Sequence, residues 1–156
     1  MLPPLAETER AFLLALDAAG VPFIVIGMGA AVLQGATAVT QDIDLWFADL
    51  TDRRIADAAR SVGGIYVSGS FGMMPPTLGG ALGDRFDVVT HAHGLGAFQD
   101  ELAHTHALDV QGVTLRVLDL SRILASKQAA RRPKDLAQIP VLEAAIAVRD
   151  EFGRPH

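Results

Sequence analysis

Apolar residues recur at helical spacing near the start of the chain. Leu5, Phe12, Leu16 and Ala19 fall on one face, after Pro3-Pro4 and before Gly20. This spacing predicts a helix from Leu5 to Ala19 with Gly20 at its C-terminal cap. Pro22 then breaks the chain, and Phe23 to Ile26 is a run without a polar residue. Such a run suits a buried strand, ended by Gly27. A short helix is expected from Ala30 to Gln34, stopped by Gly35. Asp42 to Ala48 alternates acid with apolar before turning fully apolar, which predicts a second strand. Thr51 is placed to cap a helix running to Arg60, with Gly63 and Gly64 ending it. Ile65 to Val67 and Arg85 to Val89 read as further strands. Residues 68–84 between them are rich in Gly, Pro and Met, and too many for an ordinary connection. They suit a flap over a site, or a wide hairpin containing an edge strand. Gly94 to His104 is expected to contain a helix. Leu108 to Val110 and Val113 to Leu118 flank Gln111-Gly112, the pattern of a tight hairpin. Asp119 or Ser121 can cap a helix to Arg131, and Pro140 is expected to begin or kink a last helix to Arg149.

This order predicts an α/β (α+β) fold, a mixed sheet flanked by helices with more helices at the C-terminal end. At 156 residues, one domain is expected over 1–156, with a core at 21–118 and a helical segment at 119–152. Half the residues are apolar and cysteine is absent, which excludes a disulfide scaffold and a thiolate metal site. Glu7, Glu9 and Arg10 stand where a secretory signal would be apolar. No stretch is long and apolar enough to span a bilayer. A cytoplasmic location without membrane contact is expected. The net charge of −5 argues against a broad nucleic-acid footprint. Yet six of the 13 basic residues lie between Arg116 and Lys134. That segment is either a local surface for a phosphate-bearing partner or a solvated helix face.

The chemistry concentrates in two stretches, Gly27-Met28-Gly29-Ala30 and Asp42-Ile43-Asp44-Leu45. On a strand, Asp42 and Asp44 project to one side while Ile43 and Leu45 face the core. Paired carboxylates repel unless something positive compensates them. Mg²⁺ (or Mn²⁺) is the natural candidate, a hard cation held by carboxylates and phosphate oxygens. Asp87, on the apolar Arg85–Val89 stretch, completes a three-carboxylate cluster if that strand is a neighbour. Such a cluster can clamp the oxygens of a phosphoryl displacement. The glycine turn lets backbone approach phosphates, and a helix start favours anions. Equally, Gly27 and Gly29 can serve only to shape the turn.

These motifs, in this order, resemble the nucleotidyltransferase superfamily with the DNA-polymerase-β-type fold. Within it the chain is most similar to small bacterial nucleotidyltransferase-like proteins, including those of toxin–antitoxin and abortive-infection systems. Lys127-Gln128-Ala129-Ala130-Arg131-Arg132-Pro133-Lys134-Asp135-Leu136 adds to the likeness, which extends over roughly Phe23 to Leu142. The resemblance implies that Asp42 and Asp44 are catalytic metal ligands. It makes Asp87 a third ligand, or the base that takes a proton from an attacking hydroxyl. It places Gly27, Met28 and Gly29 along the triphosphate, and gives Lys127 and Lys134 to phosphate or acceptor contact. The implied reaction moves a nucleoside monophosphate from an NTP to a hydroxyl and releases pyrophosphate. The acceptor is a protein, an RNA end or a small molecule.

Met28 departs from the family's usual Gly-Ser or Gly-Gly, and Ala38 stands where many relatives carry arginine. Both motivate an alternative, a catalytically degenerate domain that binds nucleotide or a protein partner in a toxin–antitoxin-like system. Other readings compete. His91-Ala92-His93 and His104-Thr105-His106 each offer two imidazoles to a transition metal. Lys127 and Lys134 also suit a plain surface, and Asp135 suits the first turn of a helix. A dinucleotide-binding turn shares Gly27-x-Gly29, but its third glycine position is Val32 and the acids precede their apolar run instead of closing it.

Overall fold

The computed structural model describes residues 1–69 and 75–152. The polar-free run Phe23–Ile26 forms β1, a central strand, and the consecutive burial of Ile24, Val25 and Ile26 means that both of its faces are covered. On one side it pairs antiparallel with β2 (Ile43–Phe47), on the other parallel with β7 (Val113–Leu118). β5 (Phe86–Val88) adds parallel to β2, and β6 (Thr105–Val110) adds antiparallel to β7. The mixed sheet therefore runs β5-β2-β1-β7-β6. The antiparallel β1–β2 step separates it from a dinucleotide-binding fold, whose first two strands are parallel. β3 (Gly64–Val67) and β4 (Thr77–Gly80) form a separate two-stranded sheet. That is the wide hairpin expected across 68–84, with residues 70–74 of it outside the described residues.

Alternation along β2 decides which face carries the chemistry. Ile43, Leu45 and Phe47 are buried, while Asp44 and Trp46 point the other way and are partly exposed. Ile43 pairs with Phe86. Phe86 meets Phe12 of α1 (Glu7–Ala18) with ring centroids 5.4 Å apart. Helix α1 thus covers the Ile43–Phe86 face with Phe12, Leu13 and Leu16, all fully buried. Truncating a buried aromatic such as Phe86 costs about 3–5 kcal/mol, more than most small domains can spare comfortably. On the opposite face Trp46 packs edge-on against Phe98 of α4 (Phe98–Glu101), centroids 5.5 Å apart.

Several helix boundaries differ from the sequence expectation. α2 (Gly27–Leu33) starts directly from β1, three residues before Ala30, with no side chain capping it. α3 (Arg53–Ser61) is capped by Asp52, which accepts from the Arg54 N–H at 3.0 Å; Thr51 instead bonds Asp49. α5 (Leu120–Ala130) is capped by Asp119 and ends with Arg131 in the left-handed region, φ 52°. α6 runs without a break from Pro133 to Phe152 and contains Pro140. Pro133 sits in the first turn, where a missing N–H has no consequence. Packing on α5 carries the helix through Pro140, so the expected start there gives way to one seven residues earlier. Among the described residues no helix is long and apolar enough to cross a membrane.

Candidate active site

β2 and β5 pair with Asp44 directly opposite Asp87. Neighbouring strands lie about 4.8 Å apart, so the two carboxylates leave the same face side by side. Asp42 stands one residue before β2 and lines the same cavity. The two glycines make room for this. Gly27 has φ +74°, and a side chain there would strike the Asp44 carboxylate. A Cβ on Gly29 would fall 2.6 Å from the Asp42 backbone oxygen. Both glycines, with the largely buried Met28, line the cavity, and their smallness is what lets β2 and its acids lie against α2.

The cavity holds about 390 Å³, within the range of small-molecule sites. Its far wall comes from α5 and α6. Lys127 and Lys134 line it, and both act to lower the pKa of Asp44. Lys127 Nζ lies 3.4 Å from Asp135 Oδ1. Asp135 is fully buried and also accepts from Arg132 Nε at 2.7 Å and the Arg132 backbone N–H at 3.1 Å. Of the basic segment 116–134, Arg122 is likewise committed inward, to the buried Glu101 at 2.8 Å. Lys134 makes no ion pair among the described residues.

Electrostatics separate the two walls. Burial, then the charge of Asp87, pushes Asp44 up to about 6, with Asp42 adding to the rise and the lysines opposing it. Asp87 is also raised, by burial first and Asp42 second. Asp135 is held down at about 2 by the Arg132 guanidinium bond, against the effect of burial. The carboxylate wall is therefore short of positive charge. Its donors are all oxygen, which fits a hard divalent cation such as Mg²⁺ or Mn²⁺. The three acids share the cavity without being drawn into one ligand set. Among the described residues, no group of three or more His, Cys, Asp or Glu is arranged to hold a metal ion.

The histidines divide. His91 and His93 line the cavity, their rings edge-to-face with centroids 4.3 Å apart. His104 ends a 3₁₀ turn, and His106 lies on β6, with Nε2 2.6 Å from Asp119 Oδ1. The second histidine pair therefore does not join the first. Two cavity-lining groups escaped the sequence reading. Asp135 is the helix-start acid that its position predicts, but local sequence does not show its burial between Lys127 and Arg132. Gln138, one turn beyond Lys134, carries an Oε1 that is buried without a hydrogen-bond partner among the described residues. The spacing of Lys127, Arg132 and Asp135 along two consecutive helices is the signal that could have found the first; Gln138 had none.

No protein-family model and no curated protein matches the sequence. Solved structures do. The crystal structure of ANT(2″)-Ia in complex with adenylyl-2″-tobramycin is 16% identical, covers 92% of this chain and 93% of its own, and gives a TM-score of 0.57. The solution structure of the antibiotic-resistance factor ANT(2″)-Ia is 16% identical over 93% of this chain and 89% of its own, with a TM-score of 0.58. ANT(2″)-Ia is an aminoglycoside nucleotidyltransferase. The chain has the nucleotidyltransferase fold. The mixed sheet and flanking helices expected from the sequence are those of this fold.

Proposed function

We propose that the chain is a metal-dependent nucleotidyltransferase that moves a nucleoside monophosphate from an NTP to a hydroxyl and releases pyrophosphate. The observation that carries this reading is the register of β2 on β5. It sets Asp44 beside Asp87 in a cavity whose opposite wall bears Lys127 and Lys134. Asp42, Asp44 and Asp87 would hold Mg²⁺ or Mn²⁺. When bound, the cation neutralises phosphate charge and favours in-line geometry. The raised Asp87 carboxyl alternatively accepts the proton of the attacking hydroxyl, since its affinity for a proton is shifted toward neutral pH. Lys134 faces the triphosphate as a free cation, and Lys127 does so while anchored by Asp135. The uncapped first turn of α2, Gly27-Met28-Gly29, supplies backbone donors.

Among acceptors, a small hydroxyl-bearing molecule comes first. The cavity has the volume of a small-molecule site, the chain is acidic overall, and ANT(2″)-Ia, which shares the fold, was crystallised with adenylyl-2″-tobramycin. The test is pyrophosphate release from each NTP with Mn²⁺ across hydroxylated and aminated small molecules. Wild type is expected to turn over. Asp42→Ala combined with Asp44→Ala is expected to lose at least about 100-fold, the scale of removing a principal transition-state stabiliser. Unchanged release in the double variant would remove the metal assignment. The degenerate binding domain motivated by Met28 and Ala38 predicts nucleotide binding without turnover on any acceptor.

A further inference from the structure

We infer that Arg85 is a positioning residue for the carboxylate wall, acting through Asp42. This rests on reading Asp42 as a metal ligand. Asp42 is the one acid of the three that lies outside a strand, so no ladder fixes it. The segment between α2 and β2 is well bonded over residues 34–36; beyond them the Thr40 N–H reaches the Met1 carbonyl at 3.3 Å and the Ala38 carbonyl accepts from the Met1 amino group. Both neighbours of Asp42 are nevertheless held, and by one residue. The Arg85 carbonyl accepts from the Ile43 N–H at 2.8 Å. The Arg85 Nη1 donates to the Gln41 carbonyl at 3.2 Å.

The guanidinium is itself fixed from other directions. Nη1 donates to the Pro3 carbonyl at 3.0 Å and Nη2 to the Pro4 carbonyl at 2.9 Å. Nε lies 3.2 Å from Glu9 Oε1, with both side chains only about one-tenth exposed, 10% and 12%. A planar fork with five donors can join α1, the first residues and the Asp42 segment at once; a lysine cannot. Arg85 does not line the cavity, so it acts on a ligand through Asp42 and not directly. It also lies two residues before Asp87 on the same chain segment, so one residue ties the Asp42 approach to the strand that delivers Asp87.

The experiment measures Mn²⁺ affinity of the intact chain by titration calorimetry, alongside thermal unfolding. Arg85→Lys is expected to weaken Mn²⁺ binding by about tenfold, as removal of residues that orient metal ligands does. Glu9→Gln, which leaves Arg85 in place without its charged partner, is expected to weaken it by less and serves if Arg85 variants fail to fold. Tyr66→Phe is the control. It removes the bond from the Tyr66 hydroxyl to the Leu50 carbonyl at 2.7 Å and touches neither the cavity nor any partner of Arg85. It is expected to lower Tm and leave Mn²⁺ affinity unchanged. The inference is overturned if Arg85→Lys and Glu9→Gln bind as wild type does, or if Tyr66→Phe loses as much affinity as Arg85→Lys. Wild type that binds no Mn²⁺ would overturn both this inference and the metal reading beneath it.

Discussion

Asp44 and Asp135 line one cavity and sit close to the same lysine, yet their chemistry has moved in opposite directions. Burial and the neighbouring Asp87 raise Asp44 to about 6. Arg132, with Lys127 in support, holds Asp135 at about 2 although none of its surface is exposed. Depth alone therefore does not decide the state of a carboxylate; the hydrogen-bond donors around it do. Asp135 is a completed ion cluster that joins the end of α5 to the start of α6 and steadies Lys127. Asp44 is an incomplete one. Its missing positive charge is what a substrate-borne or metal cation would bring.

The largest test of this contrast is Asp135→Ala. It strands Lys127, Arg132 and a helix-start N–H around an empty position. Loss of one partner of a buried pair is expected to lower stability by about 3 kcal/mol, read as a drop in the denaturation midpoint. The contribution of Asp135 is present above the ordinary carboxylate pKa and disappears as pH falls through about 2. A midpoint like that of wild type at pH 7 would mean that the cluster does not steady the α5–α6 junction.

Asp44→Asn is the next, and its sign is reversed. Folded Asp44 keeps its proton to about 6, whereas in the unfolded chain it loses it near the ordinary 3.8. Between those values the folded state binds more protons, so wild-type stability falls as pH rises through that window. The variant escapes this loss. At pH 8 it is expected to be more stable than wild type by up to about 3 kcal/mol, with no advantage below pH 4. It is also expected to lose the stabilisation that Mn²⁺ gives wild type. Equal denaturation midpoints from pH 4 to pH 8 would contradict the unbalanced charge.

Gln138→Leu makes the smallest change. The Gln138 amide oxygen is buried with no partner among the described residues, so an apolar replacement is expected to raise stability by about 1 kcal/mol, visible as a Tm increase of a few degrees. A lower Tm would show that the amide is already satisfied.

The strands were legible where burial imposes an unmistakable pattern. Phe23–Ile26 is covered on both faces and shows no polar position. β2 is buried on one face and alternates. Gln111 and Gly112 form the hairpin turn with φ 52° and 84°, as the dipeptide suggested. Helix starts were less legible. α2 follows β1 without a capping side chain, so no polar residue marks its first turn. Pro140 looked like a boundary because local sequence cannot show that α5 supports the helix through it. Asp42, Asp44 and Asp87 stood out as acids set in apolar strands, and the structure gathers them in one cavity. Arg85 and Asp135 were hidden for a shared reason. Each works through partners far away in sequence or on another helix, and a charged residue in a polar stretch reads as surface.

The brevity of β5 has a last consequence. It spans three residues at the outer edge of the sheet; among the described residues β2 is the one strand it pairs with, and the Phe86 N–H adds a bond to the Leu82 carbonyl at 3.2 Å. Edge segments of this size open by local fluctuations that leave the central strands closed. Asp87 can therefore be withdrawn from Asp44 while the rest of the chain keeps its shape. Warming should silence the site before any global melting, and amide exchange at residues 86–88 should outpace that of β1.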